Sequence, residues 1–169
     1  MNAPIVIVRG IPGAGKSTFA MKLRQIIGGK TFETDNFFKD GEFGIYKFDK
    51  ELLGIAHDWN KAEVLRYVRL NNLPAIVANT FTTNNEMNPY IEIGTRYRRP
   101  IYVVTMLTEY KSIHGVPEET IEKMKNRLVK FLASNFHYTD LIAGSWEVHD
   151  SSEANGVIEL FRSFFVAKN

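Results

Sequence analysis

Ile5-Val6-Ile7-Val8-Arg9-Gly10-Ile11-Pro12-Gly13-Ala14-Gly15-Lys16-Ser17-Thr18 is the stretch whose reading decides the fold. Ile5 to Val8 is an unbroken β-branched run, the mark of a strand buried on both faces of a parallel sheet. From Lys16, Phe19, Leu23, Ile26 and Ile27 recur at helical spacing until Gly28-Gly29 stops the helix. Between strand and helix stand Gly10, four residues, and then Gly15-Lys16-Ser17. Glycines at these places let main-chain amides wrap closely around anionic oxygens. Gly10, Ile11, Pro12, Gly13, Ala14, Gly15, Lys16, Ser17 and Thr18 are therefore expected to bind ATP. Lys16 would bridge the outer phosphates, and the Ser17 hydroxyl would take a place on Mg2+. A chance lysine in an ordinary turn gives the same letters, but the strand before it and the helix after it supply the context.

Outward from this loop, strand and helix alternate. Thr31 to Thr34 reads as a second strand ending at Asp35, and an aromatic, glycine-containing loop runs from Asn36 to Phe48. Asp49 caps a helical stretch that reaches Asn71-Asn72. Pro74 introduces a third strand, Ala75 to Ala78, and a helix around Met87 to Tyr97 follows, with Pro89 a candidate first residue. Ile101 to Val104 is a fourth buried strand. Pro117 opens a helix with Ile121, Met124, Leu128 and Phe131 along one face. A weak strand near Trp146 to Val148 and a helix from about Glu153 to Val166 complete the pattern. It predicts an α/β, three-layer phosphate-loop NTPase fold, with a parallel sheet of four or five strands and helices on both faces.

Composition narrows the class. At 169 residues, with no repeat or linker, the chain is expected to be a single domain over residues 1–169. Hydrophobic residues at 44%, with 12 Phe, 7 Tyr and 2 Trp, supply a core and exclude a disordered chain. The balance of 21 Lys+Arg against 19 Asp+Glu does not by itself argue for nucleic acid, although a local patch can. Cysteine is absent, which removes disulfides, thiolate zinc sites and cysteine nucleophiles. No stretch has the apolar length of a signal peptide or membrane span, so a cytoplasmic protein without membrane partners is expected.

In open parallel sheets the ligand lies beyond the carboxyl ends of the strands. Asp35 stands at such an end and could accept a proton from an attacking hydroxyl, or simply cap a turn; Asn36 beside it is a candidate acceptor contact. Asn79 ends the third strand, where many phosphate-loop enzymes carry a metal-binding carboxylate. Metal would then rest on Ser17, the phosphates and water, with Asn79 or Asp35 near its hydration shell. His57, Asn60, Val64 and Val68 share a helix face, so His57 and Asn60 either touch substrate or form a buried hydrogen-bonded pair. A lid is expected at about residues 107–117, with Lys111 or Arg127 as its cation. Lys123, Arg127 and Lys130 form one basic cluster and Arg96, Arg98 and Arg99 another, each either solvated or anion-binding.

These pieces occur in a telling order. The phosphate loop is followed by Thr34-Asp35-Asn36-Phe37-Phe38, Ala56-His57-Asp58-Trp59-Asn60 and Ala78-Asn79-Thr80-Phe81-Thr82. Glu86-Met87-Asn88-Pro89-Tyr90 and His114-Gly115-Val116-Pro117 come next. The set, spanning residue 9 to about 127, resembles the polynucleotide-kinase-like P-loop ATPases common in bacteriophage genomes. The resemblance implies ATP- and Mg2+-dependent phosphorylation of a nucleic-acid 5′-hydroxyl, with Asp35 as general base. The chain departs from that family in two places: Asn79 stands where the family has Asp, and the lid offers Lys111 and His114 where it has arginines. Kinases of nucleotide-like small molecules (a nucleoside or sugar nucleotide) and an ATP-binding regulatory module are the alternatives.

Overall fold

The computed structural model describes residues 2–39, 41, 44–109, 115–133 and 141–166. Five strands form one sheet: β1 (Ile5–Arg9), β2 (Lys30–Phe32), β3 (Ala75–Ala78), β4 (Ile101–Met106) and β5 (Gly144–Val148). Their spatial order is β2-β3-β1-β4-β5, and every neighbouring pair is parallel. Parallel neighbours need crossovers, which α1 (Lys16–Ile27), α2 (Leu53–Leu70), α3 (Asn84–Arg96) and α4 (Glu118–Ala133) provide. The last helix, α5 (Ser151–Phe165), follows β5.

Alternation along each strand divides the core in two. Val6, Val8, Ile76, Val104 and Val148 face Phe19 and Leu23 of α1, Leu128 of α4 and Phe161 of α5. Ile5, Ile7, Val77, Ile101 and Val103 face Val64 and Val68 of α2 and Met87, Tyr90 and Ile91 of α3. The result is the expected three-layer arrangement, with five strands. Each fully buried Ile or Val contributes about 1.5–3 kcal/mol of transfer free energy. The β-branched run at Ile5 to Val8 is therefore a principal anchor of the fold, its four side chains wholly buried.

This topology opens a crevice. β1 and β3 are neighbours, yet the helices that follow them, α1 and α3, pack on opposite faces of the sheet. Their exit loops must diverge, which leaves space at the carboxyl ends of these strands. At the opposite end, Arg99 is buried and donates to four main-chain carbonyls. Its guanidinium reaches Ala3 at 2.9 Å, Leu73 at 3.3 Å and Val68 at 3.0 Å, and also Asn71. Arg99 is thus neither solvated nor anion-binding; it ties together the segments that enter β1 and β3.

Some boundaries differ from the sequence reading. β2 ends at Phe32, and Thr34–Phe38 is a 3₁₀ helix rather than a strand end. The Asn79 side chain takes the Thr34 N–H at 2.7 Å, so that donor is lost to any strand ladder. Helix α3 starts at Asn84, ahead of Met87, because Thr83 and Glu86 form a reciprocal capping box, and Pro89 lies inside the helix. Asp49 caps a 3₁₀ turn, Lys50–Leu52, that leads into α2. No helix among the described residues is long and apolar enough to cross a membrane.

Candidate active site

The loop between β1 and α1 is built around two unusual glycines. Gly10 has φ 153°, and a Cβ there would stand 2.6 Å from the Met106 carbonyl oxygen, so no side chain fits. Gly15, with φ 81°, is the N-cap of α1 in the left-handed region and offers no side chain to the helix end. The first turn of α1 contains no acidic residue, so its free amides and positive end are left for an anion. Lys16 opens the helix, and its ammonium donates to the Ile11 carbonyl at 2.9 Å, across the loop.

Burial lowers the Lys16 pKa to about 8, against the pull of Asp35 and then Glu33, which raise it. The unfolded chain, with Lys16 at its ordinary 10.5, keeps this proton between about pH 8 and 10.5, where the folded chain has released it. Stability therefore rises with pH across that window, and the burial cost is fully present below it. Phosphate affinity runs the other way, because only the ammonium attracts the anion. We expect ATP affinity, measured by calorimetry between about pH 7 and pH 9.5, to fall roughly tenfold as pH passes the Lys16 value. A flat profile would remove Lys16 from the phosphate contacts.

Beyond the loop opens a cleft of about 1250 Å³, lined from the exits of β1 through β4. Pro12, Gly13, Gly15, Lys16, Ser17 and Thr18 line it, whereas Gly10, Ile11 and Ala14 lie beneath as buried support. Asp35 lines it too, and the Tyr46 hydroxyl donates to its Oδ1 at 3.5 Å. Burial, and then the Asp35 charge, raise the Tyr46 pKa and so keep that phenol protonated. Tyr46 stacks on Phe48 with an interplanar angle of 14°, and both rings line the cleft.

The remaining candidates separate. His57 lines the cleft, its Nδ1 3.4 Å from the Thr34 hydroxyl. Asn60 is not part of the lining: it is buried, accepting from the Tyr90 hydroxyl at 2.7 Å and from Asn79 Nδ2 at 3.5 Å. Burial also raises the Tyr90 pKa, which keeps that donor protonated. Tyr90, Asn60, Asn79 and the Thr34 amide thus form one hydrogen-bonded chain that fixes the segment carrying Asp35. Asn36 lies off the cleft lining and accepts from Lys39 at 2.8 Å. Arg127 of α4 lines the cleft, whereas Lys123 of the same helix pairs with Glu119. Lys111 and His114, and with them the middle of the lid segment, lie outside the described residues.

Three groups escaped the sequence reading. Glu33 accepts from the Ser17 hydroxyl at 2.8 Å, and Tyr46 and Phe48 form the aromatic wall. The Glu33-x-Asp35 spacing at a strand exit was the available signal for the first. For a magnesium ion the donors fit: the Ser17 hydroxyl and the Glu33 carboxylate are hard oxygen groups in mutual contact. Among the described residues no group of three or more His, Asp or Glu could hold a metal by itself. Such an ion would therefore depend largely on phosphate oxygens and water, as magnesium usually does.

Comparison with known proteins places this geometry. Residues 5–114 match the family model described as an AAA domain. NEDD4-binding protein 2 of Homo sapiens is 30% identical over 139 residues, which cover 76% of this chain and 8% of that protein's length. Shikimate kinase from Acinetobacter baumannii, solved in complex with shikimate, superposes with a TM-score of 0.58 at 17% identity, covering 98% of this chain and 96% of that one. The Mycobacterium tuberculosis APS kinase, solved with AMPPNP and APS, gives 0.53 at 15% identity, covering 94% and 97%. At these identities the likeness shows the fold, which is that of a kinase-like P-loop domain.

Proposed function

Since the chain belongs to the AAA domain family through residues 5–114, we propose that it is an ATP-dependent phosphotransferase whose acceptor is a polynucleotide 5′-hydroxyl. The observation that carries this reading is the joining of two kinds of group in one cleft. The phosphate loop with Lys16 lines it, and so does Asp35 beside the Tyr46–Phe48 stack. The first holds a triphosphate, and the second suits a hydroxyl attached to a flat ring. Stacking a base on an aromatic side chain contributes about 1–3 kcal/mol, and Phe48 is 53% exposed, so its ring is accessible. Lys50 and Lys61 line the same cleft and suit a phosphate backbone.

In this mechanism the loop amides and Lys16 grip the β- and γ-phosphates, and Lys16 exchanges the Ile11 carbonyl for phosphate oxygen. Ser17 would hold Mg2+, whose charge offsets that of the phosphates. Asp35 takes the proton of the acceptor hydroxyl as its oxygen bonds to the γ-phosphorus, and the bond to the β–γ bridging oxygen breaks to release ADP. The Asn79–Thr34 bond keeps Asp35 in place through this step.

A second reading, a small-molecule kinase, is favoured by the fold likeness to shikimate kinase, solved with its small hydroxyl compound. One screen decides between them: transfer of labelled γ-phosphate from ATP to 5′-hydroxyl oligonucleotides, 5′-phosphorylated controls, nucleosides and sugar nucleotides. We expect label on the 5′-hydroxyl oligonucleotides and none on their phosphorylated controls. Faster labelling of a nucleoside or sugar nucleotide establishes the second reading. ATP binding with no labelled acceptor indicates a regulatory module.

A further inference from the structure

We propose that Glu33 supplies the carboxylate of the magnesium site, a role that nothing at the exit of β3 can fill. The inference rests on the phosphate-loop reading above and on three observations. First, the Ser17 hydroxyl donates its proton to Glu33 Oε2 at 2.8 Å, so its lone pairs are left to face a cation. Hydroxyl and carboxylate are thereby set side by side before any ligand arrives.

Second, β3 ends in Ala78 and Asn79, neither of which carries charge. Asn79 is already committed on both side-chain atoms, its Oδ1 to the Thr34 N–H at 2.7 Å and its Nδ2 to Asn60 Oδ1 at 3.5 Å. It cannot turn toward a metal without releasing the segment that holds Asp35. Its bond to Thr34 also fixes the residue next to Glu33, which lies extended at φ −134° and ψ 134° ahead of the 3₁₀ helix. Asn79 thus positions the carboxylate that takes over the task.

Third, a carboxylate at this place suits a cation. Glu33 and Asp35 both line the cleft into which a triphosphate would be drawn, and both act on Lys16. Lys22, Lys50, Lys61 and Arg127 line the cleft as well, but Glu33 lies against the Ser17 hydroxyl, where a dication between it and the phosphates turns local repulsion into attraction. If Glu33 served only to neutralise Lys16, its removal would free that cation and tighten phosphate binding equally with and without metal. The two roles therefore separate by experiment.

The test is calorimetry of AMPPNP binding to the full chain at graded Mg2+, for the native protein, Glu33→Gln and Glu33→Asp, with thermal melts to establish folding. In Glu33→Gln we expect the Mg2+ concentration for half-maximal tightening to rise about 10- to 100-fold. Metal-free AMPPNP binding should hold or tighten, because a negative charge has left. Glu33→Asp, which keeps the charge, should retain most of the Mg2+ effect. Electron paramagnetic resonance of Mn2+ with protein and AMPPNP should show the same loss of bound metal in Glu33→Gln. An unchanged Mg2+ dependence in folded Glu33→Gln overturns the assignment and leaves the phosphate loop standing. So does an equal change in AMPPNP affinity with and without metal. If the native protein binds no AMPPNP under any condition, the phosphate-loop reading falls and this one with it.

Discussion

Lys16→Ala should lower phosphotransfer by about three orders of magnitude and weaken ATP binding at the same time. Preorganised donors aimed at developing charge are typically worth about 10²–10³ in rate each, and a lysine ammonium is a full charge rather than a dipole. Lys16 stands at the first position of α1, where the helix end adds to its field, and its ammonium already spans the loop to Ile11. Alanine removes the cation and leaves the Ile11 carbonyl without that donor. The fold should survive, since the substitution removes a buried charge that burial disfavours. Labelled-phosphate transfer and calorimetry measure the two effects. A variant that turns over ATP at the native rate would remove the loop from the mechanism.

Asp35→Ala should act on one quantity only. Transfer should fall about 10²–10⁴-fold, the usual worth of a positioned general base, while ATP affinity changes by less than about threefold. The separation follows from placement. Asp35 belongs to the 3₁₀ helix after β2, whereas the proposed phosphate contacts come from the β1–α1 loop. Asp35→Asn keeps an acceptor for the Tyr46 hydroxyl and should be almost as inactive, which distinguishes proton transfer from the shape of the wall. Single-turnover transfer with ATP saturating provides the measurement. Native rates in either variant would assign the base elsewhere.

Much of the fold was legible because its signals are local. A β-branched run, glycines at fixed spacing and a helix-period pattern place β1, the loop and α1 with no knowledge of the rest. The site was legible only where a single segment builds it. The β2 exit reads as strand in the sequence because its actual path depends on Asn79, 45 residues away. Helical spacing correctly put His57 and Asn60 on one face, but it carries no information about depth. The face therefore divides, with His57 at the cleft and Asn60 behind it. Arg99 was hidden by its neighbours Arg96 and Arg98, since three nearby cations read as a surface cluster although one of them is buried. Glu33 reads as a strand residue because the partner that gives it meaning, Ser17, belongs to another element.

The four carbonyls gathered by Arg99 lie at the pole of the sheet away from the phosphate loop. A keystone placed there stands apart from the rims of the cleft, so changes around Tyr46 and Phe48 do not disturb what locks the entering strands together. If the proposed acceptor site is the right one, substitutions near Tyr46 and Phe48 should change the acceptor and leave the architecture as it is.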